Sequence, residues 1–142
     1  MKNEFLKLFI PEITNLSNEN LHKIMVFYSE DCRFSDPFHL VTGKESIENI
    51  YTSMLKNLID PKFVNIKTLS LDSEVAVKWI FSFKNSPTNR VKKIPGVSWL
   101  TLDSEGLIIN HEDLWDGSEF LNTFFPINIP INWAKSKVKK NL

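Results

Sequence analysis

The hydrophobic pattern changes period once along this chain, near residue 63, and that change limits the fold more than any other feature. Before it, Ile47, Ile50, Tyr51, Met54, Leu55 and Leu58 follow the i, i+3, i+4, i+7, i+8, i+11 spacing of a helix with one buried face. After it, Val75, Val77, Trp79, Phe81 and Phe83 alternate with Ala76, Lys78, Ile80, Ser82 and Lys84, the period of a half-buried strand. Helices first and strands afterwards is the order of an α+β domain, not the repeated alternation of an α/β one.

The remaining elements follow from local signals. Phe5, Leu6, Phe9 and Ile10 predict a first helix, interrupted or kinked at Pro11. Ser17 or Asn18 can cap a second helix over Asn20 to Tyr28, with Leu21, Ile24, Met25 and Tyr28 turned inward. Cys32 to Asp36 reads as a short strand closed by Asp36-Pro37, because a residue before proline avoids the helical region. Gly43 precedes the third helix. Phe63 to Leu71, Val75 to Lys84, Val97 to Leu102 and Leu107 to Trp115 predict an antiparallel meander, with a turn at Asp72-Ser73. Asp103-Ser104-Glu105-Gly106 predicts a hairpin loop with Gly106 in the left-handed conformation.

Composition removes several function classes. A chain of 142 residues makes one domain. It has 17 basic and 17 acidic residues, so the basic excess of a dedicated nucleic-acid binder is missing. Cys32 is the single cysteine, which leaves no disulfide framework and no cysteine-built zinc site. His22, His39 and His111 lack metal-ligand spacing, and four scattered glycines form no phosphate-cradling loop. The start shows no signal-peptide pattern, and no apolar run reaches the roughly 18 residues of a spanning helix. A soluble, cytoplasmic protein without cofactor or metal is the expectation. Residues 123–142 form a distinct tail in which Ile131, Trp133, Ala134 and Val138 sit among Lys135, Lys137, Lys139 and Lys140. Such a helix can touch a membrane surface or a partner. The plainer expectation is a last helix that packs Trp133 on the body and keeps its lysines in water.

Three residues stand out as candidate chemistry. If residues 107 to 115 form one regular strand, Ile109, His111, Asp113 and Trp115 share a face. Either those polar groups point into a cavity, or the face is simply the outer one. Asp36 lies between Phe34 and Phe38, where partial desolvation would make it a better proton acceptor. Alternatively, Asp36 holds the turn that Pro37 helps to form. Cys32 reads as a structural thiol. Tyr28 and Tyr51 read as core residues whose hydroxyls meet a ligand only if they reach a pocket.

The order of these pieces resembles a known superfamily. Tyr28 to Phe38 with its Ser35-Asp36-Pro37-Phe38, then Gly43 to Ile47, the Leu102 to Ile108 hairpin, and the closing His111-Glu112-Asp113-Leu114-Trp115-Asp116 are similar to nuclear-transport-factor-2-like proteins. The match is to their SnoaL-like and ketosteroid-isomerase-like branch, over roughly residues 3 to 122. The resemblance implies a cystatin-like cone, with N-terminal helices wrapped by a curved antiparallel sheet around an apolar pocket. It implies that the face of Ile109, His111, Asp113 and Trp115 lines that pocket, with Tyr28, Phe38, Tyr51 and Ser98. It also places Asp36 on the isomerase's general base. The isomerase's two oxyanion donors fall near Glu12 and on Ser98, so both are replaced here, and loss of such donors costs on the order of a hundredfold each.

Three functions are therefore expected to compete. The first is cofactor-independent proton transfer, of isomerase or cyclase type, on a small apolar carbonyl compound, with Asp36, His111 and Asp113 as catalytic residues. The second is a non-catalytic module binding an apolar small molecule in the same pocket. The third is an interaction protein, a homodimer built on the outer sheet face that carries Trp99.

Overall fold

The computed structural model describes residues 2–124 and 126–142. Along the chain run α1 (Lys2–Thr14), α2 (Leu21–Met25), β1 (Tyr28–Ser35), β2 (Leu40–Thr42) and α3 (Lys44–Asn57). Then follow β3 (Ile59–Leu71), β4 (Glu74–Lys84), β5 (Lys92–Leu102), β6 (Ile108–Trp115), α4 (Gly117–Leu121) and α5 (Asn128–Asn141). The strands form one sheet in the order β2-β1-β6-β5-β4-β3. β1 runs parallel to β6, and every other neighbouring pair is antiparallel. The α+β order and the antiparallel meander match the sequence expectation.

The helical layer packs on the inner face of the sheet through aromatic contacts. Phe5 and Phe9 stack with centroids 5.0 Å apart, and Phe27 meets them edge-on at 5.7 and 5.3 Å. Phe5, Phe9 and Ile13 form one buried stripe, so α1 continues through Pro11 instead of breaking there. Proline removes a single hydrogen bond from the helix, and this apolar stripe offsets that loss. α2 ends at Met25, short of the expected Tyr28. The Phe27 carbonyl accepts a bond from the Ile108 N–H (2.8 Å), which draws the chain into the sheet. Leu21, Ile24, Met25 and Tyr28 are nevertheless all buried.

α3 confirms the strongest periodic signal, with Ile47 and Tyr51 buried and Ile50, Met54 and Leu55 packed against the core. Gly43 starts it at φ 102°, a conformation open to glycine, and its N–H donates to the Cys32 carbonyl. β3 and β5 begin earlier than the sequence suggests because Pro61 and Pro95 mask their first turns of alternation. Pro95 precedes by one residue the start of β5–β6 pairing at Gly96, where its missing N–H removes no bond to β6. β2 is too short and exposed to leave a periodic trace.

Register shifts curve the sheet. In β3 the pairing slips between Ile59 and Lys62 and again between Val64 and Lys67. Each slip opposes an extra residue to β4 and increases local twist. Phe63 of β3, between the two slips, lines a hollow together with Ile50, Tyr51 and Met54 of α3.

The C-terminal tail departs from its expected packing. α5 is held to α4 by an ion pair of Lys135 with Glu119. Trp133, however, is 65% exposed and does not pack on the body. The Lys137 ammonium lies 5.7 Å from its ring centroid instead. Among the described residues, no helix is long and apolar enough to cross a membrane. Residue 125, at the start of this tail, lies outside the described residues.

Candidate functional site

A cavity of about 260 Å³ opens between α3 and the inner face of the sheet. α3 supplies Ile50, Tyr51 and Met54; β3 and β4 supply Phe63, Trp79 and Phe81; α4 supplies Phe120. Phe34 in β1, and Asp36, Phe38 and His39 just after it, form the opposite wall, and β6 contributes Asp113 and Trp115. Phe38, 47% exposed, meets Trp115 edge-on at 5.6 Å and marks the mouth. Among the described residues, seven aromatic side chains besides Tyr51 line this space. Among the described residues, the wall includes two carboxylates and no lysine or arginine.

A one-residue slip in β6 decides which side chains reach the cavity. Leu102 pairs with Ile108 and Thr101 with Asn110, so Ile109 has no partner. Ile108 is fully buried while Ile109 is 39% exposed, and the inward face then resumes at His111 and Asp113. Regular alternation would have placed Ile109 on the pocket wall; the bulge turns it out, which corrects that expectation. The same bulge allows Ile108 and His111, three residues apart, to point to the same side.

His111 is 2% exposed and anchors a continuous chain of polar groups. Its Nε2 lies 2.7 Å from Asp113 Oδ1, and its Nδ1 lies 2.8 Å from the Tyr28 hydroxyl. The Tyr28 hydroxyl lies 2.9 Å from that of Tyr51. In the other direction, Ser98 Oγ donates to Asp113 Oδ1 (2.5 Å) and accepts from Trp79 Nε1 (2.9 Å). Six residues from α3, β1, β4, β5 and β6 are thus joined. Burial, followed by the neighbouring Tyr51, pushes the Tyr28 hydroxyl well above its ordinary value. Burial and then the Asp113 charge push Tyr51 up as well. Both tyrosines therefore hold their protons and act as hydrogen-bond donors. Burial likewise pushes the Cys32 thiol up to about 12, consistent with a structural role.

The predicted site residues divide into three groups. Asp36, Phe38, Tyr51, Asp113 and Trp115 line the main cavity. His111 and Ser98 stand behind Asp113, around a second hollow of about 10 Å³ that Tyr51, Asp113 and Trp79 also border. That is room for about one water molecule. Tyr28, 1% exposed, is a further layer back and lines neither hollow. Asp36 is engaged differently from Asp113. Its Oδ1 accepts from the N–H of Phe38 (2.8 Å) and of His39 (2.6 Å), and both its oxygens lie 2.9 Å from His39 Nδ1. The turn reading of Asp36 and its place on the cavity wall both hold. Asp113 Oδ2, by contrast, takes no hydrogen bond from the described residues.

Sequence reasoning missed Phe63, Trp79, Phe81 and Phe120 as cavity walls. The alternation of β4 marked Trp79 and Phe81 as inward-facing, but periodicity does not distinguish a side chain that fills a core from one that borders a hollow. Phe120 lies in a helix of five residues with no apolar stripe. Among the described residues, no three histidine, cysteine or acidic side chains converge as a metal site.

Comparison with known proteins gives the following. Residues 13–111 match the family model described as SnoaL-like domain. A proposed polyketide cyclase from Xanthomonas campestris pv. campestris superposes with a TM-score of 0.71 at 11% identity, covering 83% of this chain and 92% of that one. A protein with a ketosteroid-isomerase-like fold from Catenulispora acidiphila, in complex with trimethylamine, gives 0.71 at 15% identity, covering 84% and 91%. A proposed SnoaL-like polyketide cyclase from Shewanella putrefaciens gives 0.69 at 21% identity, covering 84% of each chain. No curated protein matches the sequence. These likenesses establish the fold, that of nuclear-transport-factor-2-like proteins.

Proposed function

The chain belongs to the SnoaL-like domain family, and from that premise we propose that it carries out cofactor-independent proton transfer, of isomerase or cyclase type, on a small apolar carbonyl compound. The observation that carries this reading is the setting of Asp113. Ser98 and His111 hold one carboxylate oxygen, while the other takes no donor among the described residues, on the wall of an aromatic cavity. A carboxylate fixed in this way and shielded from bulk water is suited to take a proton from the carbon beside a carbonyl. His111, through Nε2, orients it. Asp36, which the resemblance implied as the base, has oxygens that already serve the Phe38–His39 turn, and in this reading it shapes the mouth while Asp113 takes the proton.

The charge of the wall supports the substrate class. With two carboxylates and, among the described residues, no lysine or arginine on it, the cavity suits neutral or cationic molecules better than anions. The test is deuterium exchange of the methyl protons of acetophenone in D2O, followed by proton NMR. The protein should accelerate exchange, Asp113→Asn should lower the enzymatic rate on the order of a thousandfold, and Asp36→Asn should change it by no more than a few fold. An undiminished rate in Asp113→Asn, or a loss confined to Asp36→Asn, would falsify this assignment.

A second reading is a non-catalytic pocket for an organic cation. Aromatic faces beside carboxylates attract ammonium groups, and the Catenulispora protein was found with trimethylamine. Calorimetric binding of trimethylammonium, together with no exchange of acetophenone, would favour it over the first.

A further inference from the structure

The chain of polar groups has both ends on one cavity. Asp113 and Tyr51 each line the 260 Å³ hollow, and Tyr28 and His111 connect them out of reach of it. We propose that Tyr51 is the acid of this site and that Tyr28 and His111 form a proton relay coupling it to Asp113. The assignment rests on the proton-transfer reading above and extends it to the second half of the reaction, protonation of the substrate oxygen.

Three facts support it. Among the described residues the Tyr51 hydroxyl has one partner, the Tyr28 hydroxyl, so it retains capacity for a ligand oxygen. The heavy-atom separations across the two hops, Tyr51 to Tyr28 and Tyr28 to His111 Nδ1, are 2.9 and 2.8 Å, each short enough for transfer between fixed groups. The 2.7 Å contact of His111 Nε2 with Asp113 couples the charge of the ring to the carboxylate. Finally, the direction of both hydroxyls depends on His111. With Nδ1 unprotonated, Tyr28 donates to it and Tyr51 donates to Tyr28. With Nδ1 protonated, His111 donates to Tyr28, Tyr28 donates to Tyr51, and the Tyr51 proton is released toward the cavity.

The step balances without a cofactor. It starts from an Asp113 carboxylate and a His111 imidazolium. The C–H bond beside the substrate carbonyl breaks, its proton bonds to Asp113 Oδ2, and its electron pair forms the enol double bond. The carbonyl oxygen takes the Tyr51 hydroxyl proton, Tyr51 takes that of Tyr28, and Tyr28 takes the proton on His111 Nδ1. The products are a neutral carboxylic acid, a neutral imidazole protonated on Nε2, and the enol. Reversal, with the carboxyl proton returned to the same or another carbon, restores the starting state. No tyrosinate forms, in keeping with burial that holds both phenols protonated. The titratable groups facing the relay are Asp113 from β6 and Cys32 from β1, and Phe34 closes His111 edge-on at 4.8 Å.

The chain contains only two tyrosines, both in the relay, so uniform incorporation of 3-fluorotyrosine labels these positions alone. Fluorine NMR should then show two resonances, and because His111 Nδ1 sets the direction of both hydroxyls, His111→Gln should shift both of them. In a Tyr28→Phe background the Tyr51 resonance should no longer respond to His111→Gln. A Tyr51 resonance unmoved by His111→Gln, or moved equally by it when Tyr28 is already Phe, overturns the relay. In acetophenone exchange, Tyr51→Phe should slow the reaction about a hundredfold and Tyr28→Phe about tenfold. If Asp113→Asn abolishes exchange and Tyr51→Phe does not, the relay fails and the proton-transfer reading stands. If the resonances are coupled but no exchange is catalysed, the relay is supported and the proton-transfer reading fails.

Discussion

Asp36 and His39 meet 2.9 Å apart at the mouth of the cavity, and His111 and Asp113 meet 2.7 Å apart at its inner end. Both are aspartate–histidine pairs made by residues close in sequence, and the aspartate of each borders the same hollow. They differ in what surrounds them. His39 has 47% of its side chain exposed and its partner is also bound by local backbone N–H groups, so the pair is a closed turn. The His111 side chain is 3% exposed, and both its nitrogens lead onward, to Tyr28 on one side and Asp113 and Ser98 on the other. An identical pair of residue types thus yields a surface turn in one place and a tertiary network in the other. Burial and the number of elements joined make the difference.

The contrast can be broken most strongly at the histidines. His111→Ala takes one hydrogen-bond partner from the buried Tyr28 hydroxyl, which keeps Tyr51, and one from the Asp113 carboxylate, which keeps Ser98, and it leaves a cavity where the ring stood. It should destabilise the protein by about 3 kcal/mol. His39→Ala should cost less than about 1 kcal/mol, as for an exposed ion pair. Thermal unfolding of the two variants side by side checks this; equal losses would remove the distinction.

Gly96→Ala acts on the inner end alone. Gly96 pairs with Trp79 across β4 and β5, and a β-carbon there would overlap the indole ring. The ring must move from its bond with Ser98, at a cost of about 2 kcal/mol of overpacking. Tryptophan fluorescence and unfolding by urea read both effects, and an unchanged stability would mean that the indole has room to yield.

Alkaline pH sharpens the comparison further. The folded values of Tyr28 and Tyr51 lie above the ordinary 10.0, and that of Cys32 rises from 9.0 to about 12. The unfolded chain releases these protons first. Stability from these groups is therefore complete below about pH 9 and declines above it, by up to about 1.4 kcal/mol per pH unit for each group that has titrated only in the unfolded state. Tyrosinate absorbance should appear together with unfolding and not before it. Tyr28→Phe and Tyr51→Phe should each flatten the decline, and His39→Ala should leave it unchanged.

The smallest effect is expected away from both pairs. Trp99, 43% exposed on the outer sheet face, lies diagonally across from Leu114, which is 50% exposed. We propose that a second copy of the chain covers this face. Light scattering at micromolar concentration should give a dimer, and Trp99→Lys a monomer with the exchange rate unaltered; a monomeric wild type refutes it.

Much of the fold was legible in the residues. The spacing from Ile47 to Leu58, the alternation from Val75 to Phe83 and the Asp103 to Gly106 loop all became the elements they predict, with Gly106 at φ 84°. The site was legible in part. Asp36, Asp113, Phe38, Tyr51 and Trp115 reach the cavity, whereas His111 and Ser98 border only the smaller hollow behind it, Ile109 turns out, and Tyr28 lines neither. Ile109 and Tyr28 depart for different reasons. The bulge at Ile109 is a slip against β5 that no pattern within β6 records, and the depth of Tyr28 is set by how α3 lies over β1.

What this chain determined by itself is its class and the inward side of each long element, because hydrophobic periodicity is a local property that each helix or strand expresses alone. Which carboxylate keeps an oxygen without a donor among the described residues, and which is bound on both oxygens at a turn, was decided only in three dimensions. The cause is that hydrogen-bond satisfaction is a property of neighbours: the groups that occupy Asp113 Oδ1 and reach Tyr51 come from strands and a helix up to 83 residues apart, and nothing short of packing brings them within a bond of one another.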